Sequence, residues 1–311
     1  MMTSKATAPG KLIILGEHAV VYGKPAVALA IDKTFTCTVQ KSDTMYLNNN
    51  NVNLDAHPHI KTILEIHGMK NAAITTESMI PPSSGLGSSA ALSVALSAAV
   101  RKHLGKEIDE KEISKEAFEA EYTAQGRASP IDTSCSTHGK GVALNCPKNM
   151  GKHLWTLSKN SQTWDVSEVP IPNMTFVVGY TGIRAATGPL VEKVRKFREH
   201  NKFASDIVDE IGDITIEGMK AMNDNDIEKL GRIMTQDHKL LSILGVSCDE
   251  LNKFVNASLP YSYGAKLTGS GGGGSMIALT DKPELVCEAI KLRGGQPFVV
   301  KTGVDGVSID F

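Results

Sequence analysis

Short apolar and β-branched runs, broken by glycine and proline, open the chain. Leu12–Leu15, Ala26–Ile31 and Phe35–Gln40 read as strands. The run of four asparagines, Asn48–Asn51, reads as a polar hairpin loop. His57–Gly68 predicts a short helix ending at Gly68, and Ala72–Thr76 a strand, before Pro81-Pro82 stops regular structure. Ser88–Leu104 is the clearest helix. Ala, Leu and Val dominate it, Arg101, Lys102 and His103 fall in its last turn, and Gly105 can cap it. Glu112–Gln125 predicts a second helix.

Between Ser158 and Pro172 the pattern turns polar and carries two prolines, which places a domain boundary and divides the chain into residues 1–170 and 171–311. Beyond it, Thr175–Tyr180 predicts a strand, then Asp226–Leu244 and Asp249–Leu259 predict helices. Gly264–Leu267 reads as a strand that runs into a glycine run. Glu284–Arg293, Pro297–Lys301 and Val307–Phe311 read as helix, strand, strand. Strands and helices mixed without strict alternation predict an α+β fold over a doubly wound sheet.

Composition narrows the function classes. The 311 residues suit two modest domains or one large one, and 41% apolar with 22% charged residues is ordinary for a soluble globular protein. The 33 basic and 34 acidic residues nearly cancel, so no broad nucleic-acid surface is expected and any anion site must be local. Cys37, Cys135, Cys146, Cys248 and Cys287 form no C-x-x-C pair and read as reduced cytosolic thiols. The N-terminal residues lack a signal-peptide pattern, and no apolar run approaches the ~20 residues of a membrane span. The expectation is a soluble cytoplasmic protein.

Several segments carry candidate chemistry. Pro81–Ala91, PPSSGLGSSAA, sets four serines and two glycines before the strong helix. Glycines admit a ligand close to the backbone, and the helix N-terminus favours an anion. The Walker loop is excluded for want of a lysine. Gly85–Ala90 does match G-x-G-x-x-G/A, but a double proline and two serines stand where a buried strand should lead in. The bland alternative is an ordinary Ser/Gly helix cap. On the second helix Ile113, Ala117, Ala120, Glu121 and Ala124 form one stripe, which points Glu121 inward and leaves Glu112, Glu116 and Glu119 to solvent. Glu121 is then either an ion-pair partner, with Arg127 as one candidate, or a magnesium ligand. Asp132, in Ser129–Ser134, is either a turn residue or a carboxylate that receives a substrate proton. Lys11 opens an apolar strand, solvated or else poised near a reacting phosphate. Glu17 and His18 lie between two glycines on a loop. Lys266–Ser275 contains five glycines in the six residues Gly269–Gly274, read as a linker or as a close backbone turn against a ligand or the other loop. His57 and His59 find no third metal ligand and read as solvent-exposed.

APGKLIILGEHAVVYG, PPSSGLGSSAA and KLTGSGGGGS, in that order, resemble the three signature motifs of the kinases grouped around galactokinase, homoserine kinase, mevalonate kinase and phosphomevalonate kinase. Within that family GEHAVVYGKPA, SPIDTSCSTHGKG and QDHKLLSILGVSCDEL resemble the mevalonate kinase branch. Ser270 stands where alanine is common. The resemblance implies a ribosomal protein S5 domain 2-like N-terminal domain joined to a ferredoxin-like C-terminal one. It implies Lys11 and Asp132 as the catalytic pair, and Ser89 and Glu121 as magnesium ligands. Pro82, Ser83, Ser84, Gly85, Leu86, Gly87, Ser88 and Ser89 would lie around the phosphates of ATP, with Glu17 and His18 beside a mevalonate pocket. The implied ligands are mevalonate, ATP and Mg2+, with no nucleic acid and no membrane, and the helices of the second half offer a surface for a homodimer. Other readings are another kinase of the fold, a related decarboxylase that phosphorylates its substrate, a ligand sensor without activity, and a Rossmann dehydrogenase.

Overall fold

A long antiparallel strand pair frames the first layer: β1 (Thr3–Leu15) runs against β2 (Ala26–Gln40) along nearly its whole length. The computed structural model describes residues 3–126, 128–184 and 187–310. β1 begins nine residues before the predicted Leu12, because its first residues alternate exposed and buried and present one face only. From Ala8 to Leu15 every residue of β1 is buried, since this half packs against helices and also meets the second layer.

The hairpin β3 (Tyr46–Leu47) and β4 (Asn50–Asn51) turns at Asn48 and Asn49, both at positive φ, as the asparagine run predicts. There follow α1 (Pro58–Ile66), β5 (Ala73–Ser78), α2 (Ser88–His103), α3 (Glu110–Gln125) and α4 (Ile131–His138). β6 (Gly141–Leu144) precedes the hairpin β7 (Lys152–Lys159) and β8 (Gln162–Glu168). α4 corrects the reading of residues 129–134 as a loop. Pro130 sits at the helix N-cap, where its missing N–H costs nothing. The β7–β8 hairpin occupies much of the polar stretch: Trp155, Leu157, Trp164 and Val166 alternate inward under polar neighbours.

The second layer holds β9 (Phe176–Tyr180), α5 (Thr187–His200), α6 (Lys202–Asn223), α7 (Ile227–Ile243), α8 (Asp249–Ser258), β10 (Gly264–Thr268), β11 (Ser275–Leu279), α9 (Pro283–Lys291) and β12 (Gln296–Val300). β13 (Ser308–Asp310) returns to pair with β1. The order β10-β11-β9-β12, antiparallel throughout, is that of a ferredoxin-like sheet. The larger sheet runs β4-β3-β5-β2-β6-β8-β7, with β1 and β13 beyond β2. The fold is α+β with two domains. One hydrophobic cluster joins Leu12, Ile14 and Leu29 of the first layer to Phe176, Met234 and Ile277 of the second. The two layers therefore share a core beneath the cleft that their loops form. Among the described residues, no helix is long and apolar enough to cross a membrane.

Candidate active site

The cleft holds a cavity of about 450 Å3, lined by β1, the 82–89 loop, α3, α4 and the 268–274 loop. Its position follows from two irregularities in the β1–β2 pairing, one at Pro9/Gly10 and one between Ile13 and Leu15. Such shifts re-aim the side chains that follow. Lys11 comes directly after the first, and Glu17 and His18 soon after the second.

Lys11 is only 2% exposed. Its Nζ lies 3.1 Å from Asp132 Oδ2 and donates to the Gly85 carbonyl at 3.1 Å, while its backbone N–H bonds the Leu86 carbonyl at 2.9 Å. The 82–89 loop is thus tied to β1 through Lys11. Gly87, at φ +75°, opens α2, and a Cβ there would sit 2.9 Å from Lys11 Cγ. Only glycine leaves room for the lysine stem at that backbone angle.

The two glycine-rich loops pack backbone against backbone. A Cβ on Gly85 would come within 2.8 Å of the Thr268 carbonyl, and one on Gly269 within 3.1 Å of Gly85 Cα. Gly272 and Gly274 donate to the carbonyls of Val246 and Ile183. The second glycine run is therefore a fastened turn and not a linker. Thr268 secures it further: its hydroxyl donates to the Ile13 carbonyl and accepts from the Ile13 N–H, each at 3.1 Å.

Two carboxylates face this corner from the helices. Asp132 stands in the first turn of α4, its side chain about a third exposed (32%). Burial raises its pKa, Lys11 opposes the rise and Glu121 adds to it. Glu121, 5% exposed, is held by Gln125 and lies 3.1 Å from His59 Nε2. At the other end Glu17 and His18 line the cavity and are nearly buried. His18 Nε2–H donates to the Ser270 carbonyl at 3.0 Å, a backbone contact that is indifferent to serine replacing alanine. Burial, with Lys266 adding, pushes the His18 pKa down to about 4.

Residues 56–140 match the GHMP kinases N terminal domain and residues 219–294 the GHMP kinases C terminal. A mevalonate kinase of Pyrococcus furiosus is 33% identical over 98% of each chain. One of Methanothermobacter thermautotrophicus is 35% identical over 89% of this chain and 90% of its own. The crystal structure of Methanococcus jannaschii mevalonate kinase, 28% identical, covers 97% of this chain and 98% of its own with a TM-score of 0.77. The chain belongs to the GHMP kinases. It is a phosphotransferase.

Lys11, Asp132, Glu121, Glu17, His18 and the 82–89 loop of this GHMP kinase meet in one cavity, apart from Leu86, whose side chain is in the core. Two expectations about charge need correction. Glu116 is not solvated. It is 8% exposed and bonded by Arg101, His67 and Ser97, because α3 packs against α1 and α2 as well as α4 and so buries more than one stripe. Burial alone would raise the Glu116 carboxyl, but these partners hold it below the usual range. His59 is half-buried against Glu121 and not free in solvent. Arg127, the partner suggested for Glu121, lies outside the described residues.

Lys266, Asp237 and His238 lie in segments that carry the family resemblance, but no role for any of them is read from the sequence. Lys266 and Asp237 are fully buried behind Glu17, with Lys266 Nζ bonded to Glu17 Oε1 and 3.4 Å from Asp237 Oδ2. The one available signal was a lysine alternating into a strand of apolar residues ahead of the glycine run.

Proposed function

We propose that this kinase transfers the γ-phosphoryl group of ATP to the primary 5-hydroxyl of (R)-mevalonate, giving 5-phosphomevalonate for isoprenoid biosynthesis. The observation that carries the reading is Lys11, whose ammonium joins Asp132 to the phosphate-type loop at the junction of both glycine turns. Relatives over nearly the whole chain bear the name mevalonate kinase. The acceptor end supports the choice of acceptor. Among the described residues lining the cavity, Lys11 is the sole lysine or arginine, so a phosphorylated acceptor would find no cation of its own. Glu17 Oε2 and His18 Nδ1 are buried without partners. With its proton on Nε2, the neutral His18 offers Nδ1 as an acceptor, so both groups suit hydroxyl donors.

Asp132 acts as the proton acceptor. The hydroxyl oxygen attacks the γ-phosphorus, the bond to the β,γ-bridging oxygen breaks, ADP leaves, and the hydroxyl proton passes to Asp132. Partial burial raises Asp132 toward the proton it must take, and Lys11 keeps it from being protonated too early. Lys11 also offsets negative charge that develops on the transferring group. The N–H groups at the start of α2, with the 82–89 backbone and the Ser88 and Ser89 hydroxyls, hold the phosphates in line with the acceptor.

A magnesium ion fits the residues present. Ser89 and Glu121 both line the cavity and supply hard oxygen ligands, and Glu121 Oε1 is buried without a hydrogen bond. Among the described residues no cluster of three or more His, Cys, Asp or Glu is placed to hold a metal alone. That suits an ion sharing its ligands with phosphate and water. When bound, it supplies neutralisation of the β- and γ-phosphate charge. The division at residue 170 is proposed on sheet membership, with β13 as a strand that crosses back.

The test is ADP release with magnesium–ATP and mevalonate, 5-phosphomevalonate, homoserine or galactose in turn. Turnover confined to mevalonate is expected. Turnover confined to another acceptor keeps the phosphate site and overturns the pocket.

A further inference from the structure

Behind the acceptor end of the cavity, two carboxyls share one ammonium at almost no exposure. Lys266 of β10 and Asp237 of α7 are fully buried and Glu17 is 2% exposed. Lys266 also donates to the Leu267 carbonyl at 2.8 Å. Fully ionised, the cluster would keep a surplus negative charge out of water, which is too costly without a further cation. The neighbouring imidazoles do not supply it. His238 Nδ1 accepts from the Leu267 N–H at 3.2 Å and so carries no proton. Burial, with Lys266 adding, pushes His238 down to about 4, the same value as His18.

The compensating proton therefore sits on a carboxyl, and Asp237 is the one placed to take it. Neither of its oxygens has a hydrogen-bond partner as a carboxylate. Burial pushes its pKa up to about 8, opposed by Lys266 and reinforced by the Glu17 charge. The cluster has one open end. Glu17 Oε2 is unpartnered on a side chain that lines the cavity, whereas Lys266 and Asp237 are not among the lining residues.

Resting on the kinase reading above, we propose that Asp237 is a positioning residue for the acceptor: as the neutral third member of this buried cluster it holds Lys266, and through Lys266 aims the free Glu17 Oε2 at a substrate hydroxyl. Lys266 precedes the 269–274 turn and Glu17 follows β1, so the cluster also joins the two layers at the pocket.

Two variants and one spectrum test it on the whole enzyme. Asp237→Leu leaves Lys266 and Glu17 free to turn together, and the acceptor KM should rise about ten-fold or more while the KM for magnesium–ATP stays put. Asp237→Asn keeps the shape and a neutral donor and should rescue most of that loss. The proton is read without turnover. Wild type at mildly acidic pH should show an infrared carboxylic-acid band that Asp237→Asn lacks. Absence of that band overturns the proton assignment. An unchanged acceptor KM in both variants, or equal damage in both, overturns the positioning role. If Asp237→Leu does not fold, Asp237→Asn decides: an acceptor KM near wild type together with the lost band supports the proposal, and a ten-fold rise sinks it. Failure of the functional reading looks different: turnover with another acceptor, on which the same Leu and Asn contrast is then measured.

Discussion

Lys11 and Lys266 are both buried and both ion-paired, yet only Lys11 lines the cavity. Lys11 meets a carboxylate whose side chain is 32% exposed. Water and substrate can reach Asp132, so its protonation state can change during a reaction. Lys266 meets two carboxyls that neither water nor substrate reaches except through Glu17 Oε2. On the proposed reading the same pair of residue types serves chemistry in one place and geometry in the other, and access to the cleft makes the difference.

Substitutions should separate the two. The largest effect is expected from Asp132→Asn, which should lower kcat by about 10²–10⁴ with the fold intact by circular dichroism. Near-normal kcat would remove Asp132 from the proton transfer. Lys266→Met should act on stability instead. It strands two buried carboxyls and should cost about 3–5 kcal/mol in denaturant unfolding. Lys11→Met should cost clearly less, since water can solvate Asp132, and equal losses would erase the contrast. Glu121→Gln should raise the magnesium concentration for half-maximal rate by about ten-fold or more, as judged from what weaker outer partners of metals are worth. An unchanged magnesium dependence would take Glu121 out of the metal site.

Gly87→Ala sharpens the comparison from the backbone side. At φ +75° an alanine is strained by about 1–3 kcal/mol, and its Cβ meets the Lys11 stem. It should lower kcat and leave the Lys266 cluster, and hence the infrared band, as it was. The smallest effects come with pH. His18 and His238 are held near 4 when folded against an ordinary 6.5, so the unfolded chain binds more protons between those values. Their contribution is complete above about 6.5 and is lost as pH falls toward 4. Asp237 has the opposite sign. Folded, it keeps a proton up to about 8, so its contribution is present at acid pH and fades as pH rises to about 8. Asp237→Asn should remove that decline, flattening a melting-temperature profile between about 6.5 and 8 and steepening its rise between about 4 and 6.5, where the histidine contribution is no longer opposed.

Much of this was legible beforehand. α2 ends within a residue of its prediction because Ala and Leu propensity and the glycine at 105, at φ +64°, agree with the packing. The inward side of Glu121 followed from helical period alone. Glu116 shows the limit of that reasoning. Period locates one stripe, but a helix packed on several sides buries more, and Arg101 comes from α2 and His67 from the C-terminal cap of α1. β7 and β8 were hidden because their buried tryptophans alternate with polar residues, and β8 lies in the stretch that reads as a boundary.

The sequence by itself determined the α+β class, the family, and the short-range devices: glycines before a helix, a lysine in an apolar strand, a carboxylate on a buried stripe. These depend on neighbours a few residues away, which periodicity and turn chemistry register. Only the tertiary structure decided which charges meet. Glu17 and Lys266 are 249 positions apart, and Lys11 and Gly85 are 74 apart. Their pairing arises where two layers close over a shared core, and burial there sets how strongly each charge needs its partner.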